Sequence, residues 1–335
     1  MIKLSIDLGS TMTKIYRADA SNGIVLAEPS CVAVTGEEHE VRAIGKDAKK
    51  LVGKTTEWTD IVYPIYEGKI VDKKLAVVML KEFLSRVGLG FAIKRAETVF
   101  SIPCGIDEHQ LADYMELAEE CGLKKAHFIE VPYLAALGAD VSFAEERPVF
   151  CIDIGGGVAN IAAVSSGGMI AGLSMNLGGN NMDVNIIDKI AKTRGLNIGL
   201  LTAERIKNEI GSLSQNARGT TVAEGSSVSS YLPASVSVQA LEIADCIRVY
   251  IDKILEYSLL VLNRLPAEVA ADIHQSGIYL SGGVMKMPYL AEYISKKLEM
   301  AAHACKDPQF TVANGGGIAL RDKKLLAKLE RKLQD

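Results

Sequence analysis

No stretch of the 335-residue chain is apolar for long enough to cross a bilayer, although hydrophobic residues make up 48% of it. Nor does it open on an export signal: "MIKLSI" carries no charged leader, long apolar segment or small-residue cleavage site, so a cytoplasmic location is expected. A basic excess is missing too. The net charge of −4 gives no electrostatic footprint for nucleic acid, and no such partner is expected. The six cysteines, Cys31, Cys104, Cys121, Cys151, Cys246 and Cys305, include no CxxC pair and sit in apolar contexts. That pattern suits buried reduced thiols and argues against zinc. A Walker A loop, GxxxxGK[ST], is also absent, which removes one common phosphate cradle.

What is present reads as an α/β protein. The length favours two domains, or two lobes of one pseudo-symmetric fold. The charged stretch "GEEHEVRAIGKDAKKLVGKT" looks like a small surface subdomain that ends near residues 68–72. "KKLAVVMLKEFLSR" has helical periodicity and "ETVFSIP" reads as a strand. "DEHQLADYMELAEECG" is a helix with Asp107 as N-cap and Gly122 as its stop. A strand "AHFIEVP", a small-residue helix "YLAALGAD" and a strand "RPVFCIDI" follow. Further on come a helix in "LTAERIKNEIGSL", a Ser/Thr/Gly-rich insert with short strands at 219–237, and a long helix from Gln239 to Arg264. "GIYLSGGVMKM" gives another strand, and "ANGGGIAL" opens the terminal helix.

The opening pattern returns at residue 149: "VFCIDIGGGVANIAAV" repeats "KLSIDLGSTMTKIY". Asp7 and Asp153 each follow an apolar run and precede an apolar residue and a glycine. One copy alone is equally a glycine hairpin whose Asp bonds its own turn. Two facing copies can converge backbone N–H groups on a polyphosphate while the two aspartates hold a hydrated Mg²⁺.

These residues resemble the actin and heat-shock-chaperone ATPase superfamily, and within it the MreB-type bacterial actin homologues. "DLGST", "EPSCVAV", "AIGKDAKKLVGKT", "YPIYEGKIVD", "SIPCGIDEHQ", "DIGGG", "LGGNNMDVNII", "TAERIKNEIGS", "LSGGV" and "ANGGGIAL" fall in the family's order, and the small first insert is unlike that of the division protein FtsA. The resemblance implies an actin-like fold of two pseudo-symmetric lobes around a nucleotide cleft. Lobe I would span 1–150 with an insert at about 28–72, lobe II would span 151–314 with an insert at about 186–240, and a C-terminal helix over 315–335 would pack back on lobe I.

It also implies site roles. Gly9, Ser10, Thr11, Thr13, Lys14, Gly155, Gly156 and Gly157 would meet the phosphates of ATP, with Mg²⁺ held by Asp7 and Asp153. Lys14 matches actin, where most MreB sequences are apolar. Glu204, Lys207, Gly282, Gly283 and Val284 would meet the nucleoside. Glu204 and Lys207 share a helix face by their spacing of three, which also suits a solvated ion pair.

The pattern breaks at "IEVPYLAALG", where Val131 replaces the water-positioning Glu or Gln of the family, and at Val158, where MreB has threonine. Hydrolysis is therefore expected to be slow or impaired, or to use Glu130 or Asn160. Glu130 faces away from its neighbour if the stretch is extended, and takes the catalytic place if the alignment shifts by one residue.

In "VGLGFAIKRAE", Leu89 and Phe91 precede Lys94 and Arg95. These residues form either a membrane-dipping loop, as in MreB, or a strand start with its side chains in the core. The tail's Leu325, Leu326, Leu329 and Leu333 line one face of a basic helix that lies on a membrane or, as expected, packs on its own lobe. The resemblance implies head-to-tail filaments serving cell shape and wall synthesis, with the inner face of the cytoplasmic membrane and membrane-bound morphogenetic proteins as partners. A filament that positions plasmids or organelles is the alternative within the polymer class, and a small-molecule kinase or chaperone-like ATPase the alternative outside it.

Overall fold

A computed structural model of the chain describes residues 1–333 apart from 20–22, 37–38, 55–57, 141–146 and 167. Residues 37–38 and 55 of the charged stretch, and the last two residues of the tail, thus lie outside the described residues.

The first half begins with a meander of β1 (Lys3–Leu8), β2 (Met12–Arg17) and β3 (Gly23–Pro29). A small unit follows, made of β4 (Val32–Thr35), β5 (Glu40–Ile44), α1 (Lys46–Lys49) and β6 (Thr59–Val62). The short hairpin β7 (Ile65–Tyr66) and β8 (Lys69–Ile70) leads to α2 (Lys73–Arg86), a 3₁₀ turn at Gly90–Arg95, β9 (Glu97–Ile102), α3 (Glu108–Glu120), β10 (Lys125–Glu130) and α4 (Val131–Gly138). Five of these strands form one sheet in the order β10-β9-β1-β2-β3. The Asp107 carboxylate caps α3 by accepting from Gln110 N at 2.8 Å, and Asp72 caps α2 in the same way through Leu75 N at 2.9 Å.

The second half repeats the plan. β11 (Val149–Ile154), β12 (Ala159–Ser165) and β13 (Gly168–Met175) form the meander, followed by α5 (Gly179–Arg194), β14 (Leu196–Asn197) and α6 (Leu200–Ile210). The hairpin β15 (Thr220–Ser227) and β16 (Pro233–Gln239), long helix α7 (Ala240–Leu262), α8 (Ala267–Ser276), β17 (Ile278–Ser281), α9 (Leu290–Leu298) and β18 (Ala302–Ala304) come next. The chain closes with α10 (Thr311–Ala319) and α11 (Lys323–Leu329). The second sheet runs β13-β12-β11-β17-β18, the same topology as the first. In each sheet the first strand pairs antiparallel with the second and parallel with a strand contributed from far along the chain. Every residue of β11 is buried, as in a strand covered on both faces.

The two halves exchange helices. α4 follows the first sheet's edge strand but packs on β11 and β12, whereas α10 follows the second sheet's edge strand and packs on β1, β9 and β2. Between the halves lies a shared apolar core that includes Val99, Ile129, Leu134, Cys151, Val164 and Ala313. The glycine cluster of α10 serves this packing. A Cβ on Gly315 would lie 1.8 Å from the Leu134 carbonyl oxygen, one on Gly316 would lie 2.1 Å from Ser5 Oγ, and one on Gly317 would strike the Tyr16 ring. Gly138 in α4 is the reciprocal case, where a Cβ would lie 1.9 Å from Thr311 O.

Three expectations need correcting. The single C-terminal helix over 315–335 is instead two, broken at Asp322, whose carboxylate caps α11 by accepting from Lys324 N and Leu325 N. The expected start of the second insert at residue 186 falls inside α5. In the 88–95 loop, Leu89 packs partly against the first core and only Phe91 is presented, 91% exposed. The tail lies on its own protein: Leu326 and Leu329 are buried, Arg331 N donates to Phe128 O at 2.7 Å, and Glu330 meets His127 Nδ1 at 2.9 Å.

Because Gly315 touches backbone rather than a movable side chain, Gly315→Ala should cost roughly 2–3 kcal/mol. Gly199→Ala, which meets nothing within 4 Å, should stay within about 0.5 kcal/mol of wild type. Urea denaturation of the two variants beside wild type checks both values.

Candidate functional site

A cleft of about 600 Å³ opens where the two repeated hairpins face each other. From the first half it is lined by Asp7, Gly9, Ser10, Thr11 and Lys14, and from the second by Asp153, Gly155, Gly156, Gly157 and Asn160. The loops touch directly: a Cβ on Gly156 would lie 1.9 Å from Thr11 Oγ1, and one on Gly157 would lie 3.0 Å from Ser10 Oγ. Only glycine permits that approach, so the run of three follows from packing as well as from ligand access. Gly155 O and Gly156 O accept from the first amides of α5, Gly179 N at 3.1 Å and Asn180 N at 2.8 Å. The second loop is thereby fixed to a helix N-terminus.

The two carboxylates are held alike. Asp7 Oδ1 accepts from Ser101 Oγ at 2.8 Å, and Asp153 Oδ1 from Ser281 Oγ at 2.6 Å. Each serine lies at or next to the end of the parallel strand beside its aspartate, Ser101 one residue before the end of β9 and Ser281 as the last residue of β17. Across the hairpins, Asp7 pairs with Lys14 and Asp153 with Asn160. Lys14 Nζ reaches Asp7 Oδ2 at 2.7 Å. Burial pushes the Asp153 carboxyl up to about 6; the Ser281 hydroxyl opposes that rise and the nearby Asp7 charge adds to it. Ser101 and Ser281 escaped the sequence reading, although "FSIP" and "LSGG" each place a serine after an apolar run.

The nucleoside candidates also gather on the cleft: Glu204, Lys207, Gly282, Gly283 and Val284 all line it. Lys207 Nζ donates to Asp183 Oδ2 at 2.7 Å and to Gly179 O at 2.8 Å. Burial raises the Asp183 carboxyl to about 6 against the pull of the Lys207 ammonium. Glu204 is held by Lys49 of the small first unit. Gly282, at φ +93°, lies so close to Ile154 that a Cβ there would fall 2.2 Å from its carbonyl oxygen.

Two candidates stand elsewhere. Thr13 does not line the cleft; it is fully buried, with its hydroxyl 2.9 Å from Ser30 Oγ, which in turn donates to Gly9 O at 2.6 Å. Strand alternation explains this, since Lys14 takes the cleft face of β2 and Thr13 the other. Glu130 is likewise outside the lining, and its Oε1 accepts from Gly105 N at 2.7 Å. The chain turns at Glu130 into α4, so Val131, the first helical residue, faces the cleft instead. Asn160 does face it, with its Oδ1 accepting from Cys104 N at 3.0 Å.

For Mg²⁺ the donor set fits. Asp7 and Asp153 offer hard carboxylate oxygens from opposite walls, and a cation would offset the burial that raises the Asp153 carboxyl. No group of three or more His, Cys, Asp or Glu forms an all-protein cage among the described residues.

Paired sheets, exchanged helices and a carboxylate-lined interlobe cleft together define an actin-like protein. The computed structure superposes on MreB5 of Spiroplasma citri bound to AMPPNP with a TM-score of 0.91, at 29% identity over 98% of this chain and 97% of that one. Its fold also matches the MamK double helical filament subunit, with a TM-score of 0.78, 18% identity and coverage of 96% and 99%. The MreB/Mbl protein family matches residues 1–328, and the chain belongs to that family. The cell shape-determining proteins MreB of Escherichia coli K12 and Mbl of Bacillus subtilis 168 are 32% and 30% identical to it; the matches cover 95% and 97% of this chain and 92% and 97% of theirs.

The Asp153 carboxyl binds its proton more tightly in the folded than in the unfolded chain between about pH 4 and pH 6. Its contribution to stability is therefore complete below about pH 4 and lost as the pH rises through 6. Asp153→Asn should gain roughly 2 kcal/mol on the nucleotide-free wild type between pH 4 and pH 7. Melting curves of both proteins across that range, compared as a difference, check the sign.

Proposed function

We propose that this chain binds ATP with Mg²⁺ between its hairpins and assembles head-to-tail into filaments that scaffold cell shape and wall synthesis, hydrolysing ATP slowly. The observation that carries the reading is the matched pair Asp7–Ser101 and Asp153–Ser281 on the two walls of one cleft. Backbone N–H groups of Gly9, Ser10, Thr11 and Gly155–Gly157 would meet the phosphates with Lys14, and Glu204, Lys207 and Gly282–Val284 the nucleoside. Bound Mg²⁺ supplies charge neutralisation at the phosphates, held by Asp7 and Asp153. Residues 1–150 and 151–310 are the lobes that close on the nucleotide, the second ending four residues before the expected 314 because α10, from Thr311, packs on the first sheet. The nucleotide-bound MreB5 structures, with AMPPNP and with ADP, support the cofactor. Family membership supports assembly, through an interface that does not close on itself.

The slow-hydrolysis reading is supported by what lines the cleft between the hairpins. Val131 and Val158 line the cleft and offer no side-chain polar atom to a water. Asn160 already spends its Oδ1 on Cys104 N, and Glu130 lies outside the cleft lining with its Oε1 on Gly105 N, which favours neither as the group that positions a water. Val131→Glu should raise phosphate release by about tenfold or more while wild type pellets with Mg-ATP and releases little. Pelleting and phosphate assays on one reaction decide. Fast wild-type release without polymer would overturn the reading.

Membrane contact, if made at the 88–95 loop, rests on Phe91 alone, whose ring lies 5.9 Å from the Lys94 ammonium in a turn that also carries Arg95. No helix among the described residues is long and apolar enough to cross a membrane. Phe91→Ser should lower co-sedimentation with anionic liposomes several-fold without loss of thermal stability. Leu89→Ser, which cuts into the core, should lower the melting temperature instead.

A further inference from the structure

The small unit β4-β5-β6 with α1 has little core of its own: Cys31, Ala33 and Ala48 are fully buried, with Leu51, Ile61 and Tyr63 partly so. Val32, Val34 and Ile44 of the same unit belong to the core of the first half, so what sets its position against the second half is where α1 is tied. At the N-terminus of α1, Glu28 of β3 accepts from Lys46 N at 2.8 Å, and its other oxygen faces Lys46 Nζ at 3.4 Å and Arg86 at 3.7 Å. Gly45 makes that joint, at φ +70° and with no room for a Cβ beside the Glu28 carboxylate. One turn later, at the other end of α1, Lys49 Nζ reaches both carboxylate oxygens of Glu204 on α6, at 2.8 and 2.7 Å. α1 is thus a one-turn strap tied to the first sheet at one end and, through a residue of the cleft lining, to the second half at the other.

Glu204 sits one turn before Lys207, whose ammonium is fixed by Asp183 and Gly179 O. The carboxylate held by Lys49 is therefore the same one that lines the nucleoside end of the cleft. Tyr63 of the small unit lies close by, its hydroxyl pushed up to about 12 by burial, with the Glu204 charge adding to the rise. Both members of the pair are about three-quarters buried, with side-chain exposures of 29% and 27%, so the attraction is screened less than at an open surface.

We propose that Lys49, a residue of the insert, is a positioning residue for the nucleoside site: it aims Glu204 and latches the cleft mouth, so that bound nucleotide leaves only after this ion pair opens. This rests on the nucleotide reading of the cleft. Nucleotide occupancy and docking of the small unit on the second lobe are then one equilibrium, because ligand that orders Glu204 also favours the closed strap.

The test is dissociation of radiolabelled ADP from the full chain in Mg²⁺ buffer, chased with unlabelled ADP. Lys49→Gln should release ADP about three- to fivefold faster, and Lys49→Arg should stay near wild type. Lys50→Gln, which breaks only the exposed pair with Asp47, should leave the rate unchanged. Rising KCl should speed release from wild type and do little to Lys49→Gln. In a Glu204→Gln background, Lys49→Gln should add nothing. Equal release from wild type and Lys49→Gln would overturn the latch alone, as would an effect of Lys49→Gln that persists without the Glu204 charge. A wild type that retains no ADP would overturn the cleft assignment and the latch with it.

Discussion

The contact between α4 and α10 is the constraint on which the molecule depends. Each helix leaves its own sheet and lies on the other, and they meet backbone to backbone at Gly138 against Thr311 and at Gly315 against Leu134. Two lobes joined only by linkers would move freely. These share an apolar core along two helices whose separation is fixed by missing side chains, so any opening of the cleft would have to turn about a tight seam. Both helices start at the cleft: Val131 lines it at the head of α4, and Phe310 and Val312 at the head of α10. A change at the mouth is delivered to the seam with little slack.

The cleft repeats the symmetry of the sheets in its chemistry, then departs from it at one place. Serine holds aspartate on both walls, but Lys14 stands across from Asp7 where Asn160 stands across from Asp153. One wall is neutralised by a built-in ammonium; the other keeps a buried carboxyl whose proton affinity is raised. The two halves of an internal repeat have thereby become unequal in charge while staying equal in backbone, which gives the cleft a direction.

Much of this was legible because it is local. Asp107 before an amphipathic run gives a helix start, and two copies of apolar-Asp-x-Gly give two facing hairpins. The family's order of motifs pointed also to Glu204, Lys207 and Gly282–Val284, which line the same cleft. What could not be read depends on distance or on facing. The Lys49–Glu204 pair spans 155 positions of sequence. Thr13 was misplaced because a loop motif does not say where strand alternation resumes, and Glu130 because helix and strand readings of "IEVPY" point the carboxylate in different directions. Leu89 and Phe91 look alike in sequence, yet a 3₁₀ turn sends one to the core and the other to solvent.

The tail has a consequence for how copies of this chain can meet. β10 is an edge of the first sheet, and an edge strand with free N–H and C=O groups is a template for another strand. Here Arg331 N already occupies Phe128 O, and Glu330 is tied to His127 beside it. Part of that border is covered by residues 330–331. Growth of a polymer by stitching sheet to sheet is blocked at this stretch, and subunits that meet there must recognise each other through side chains and shape.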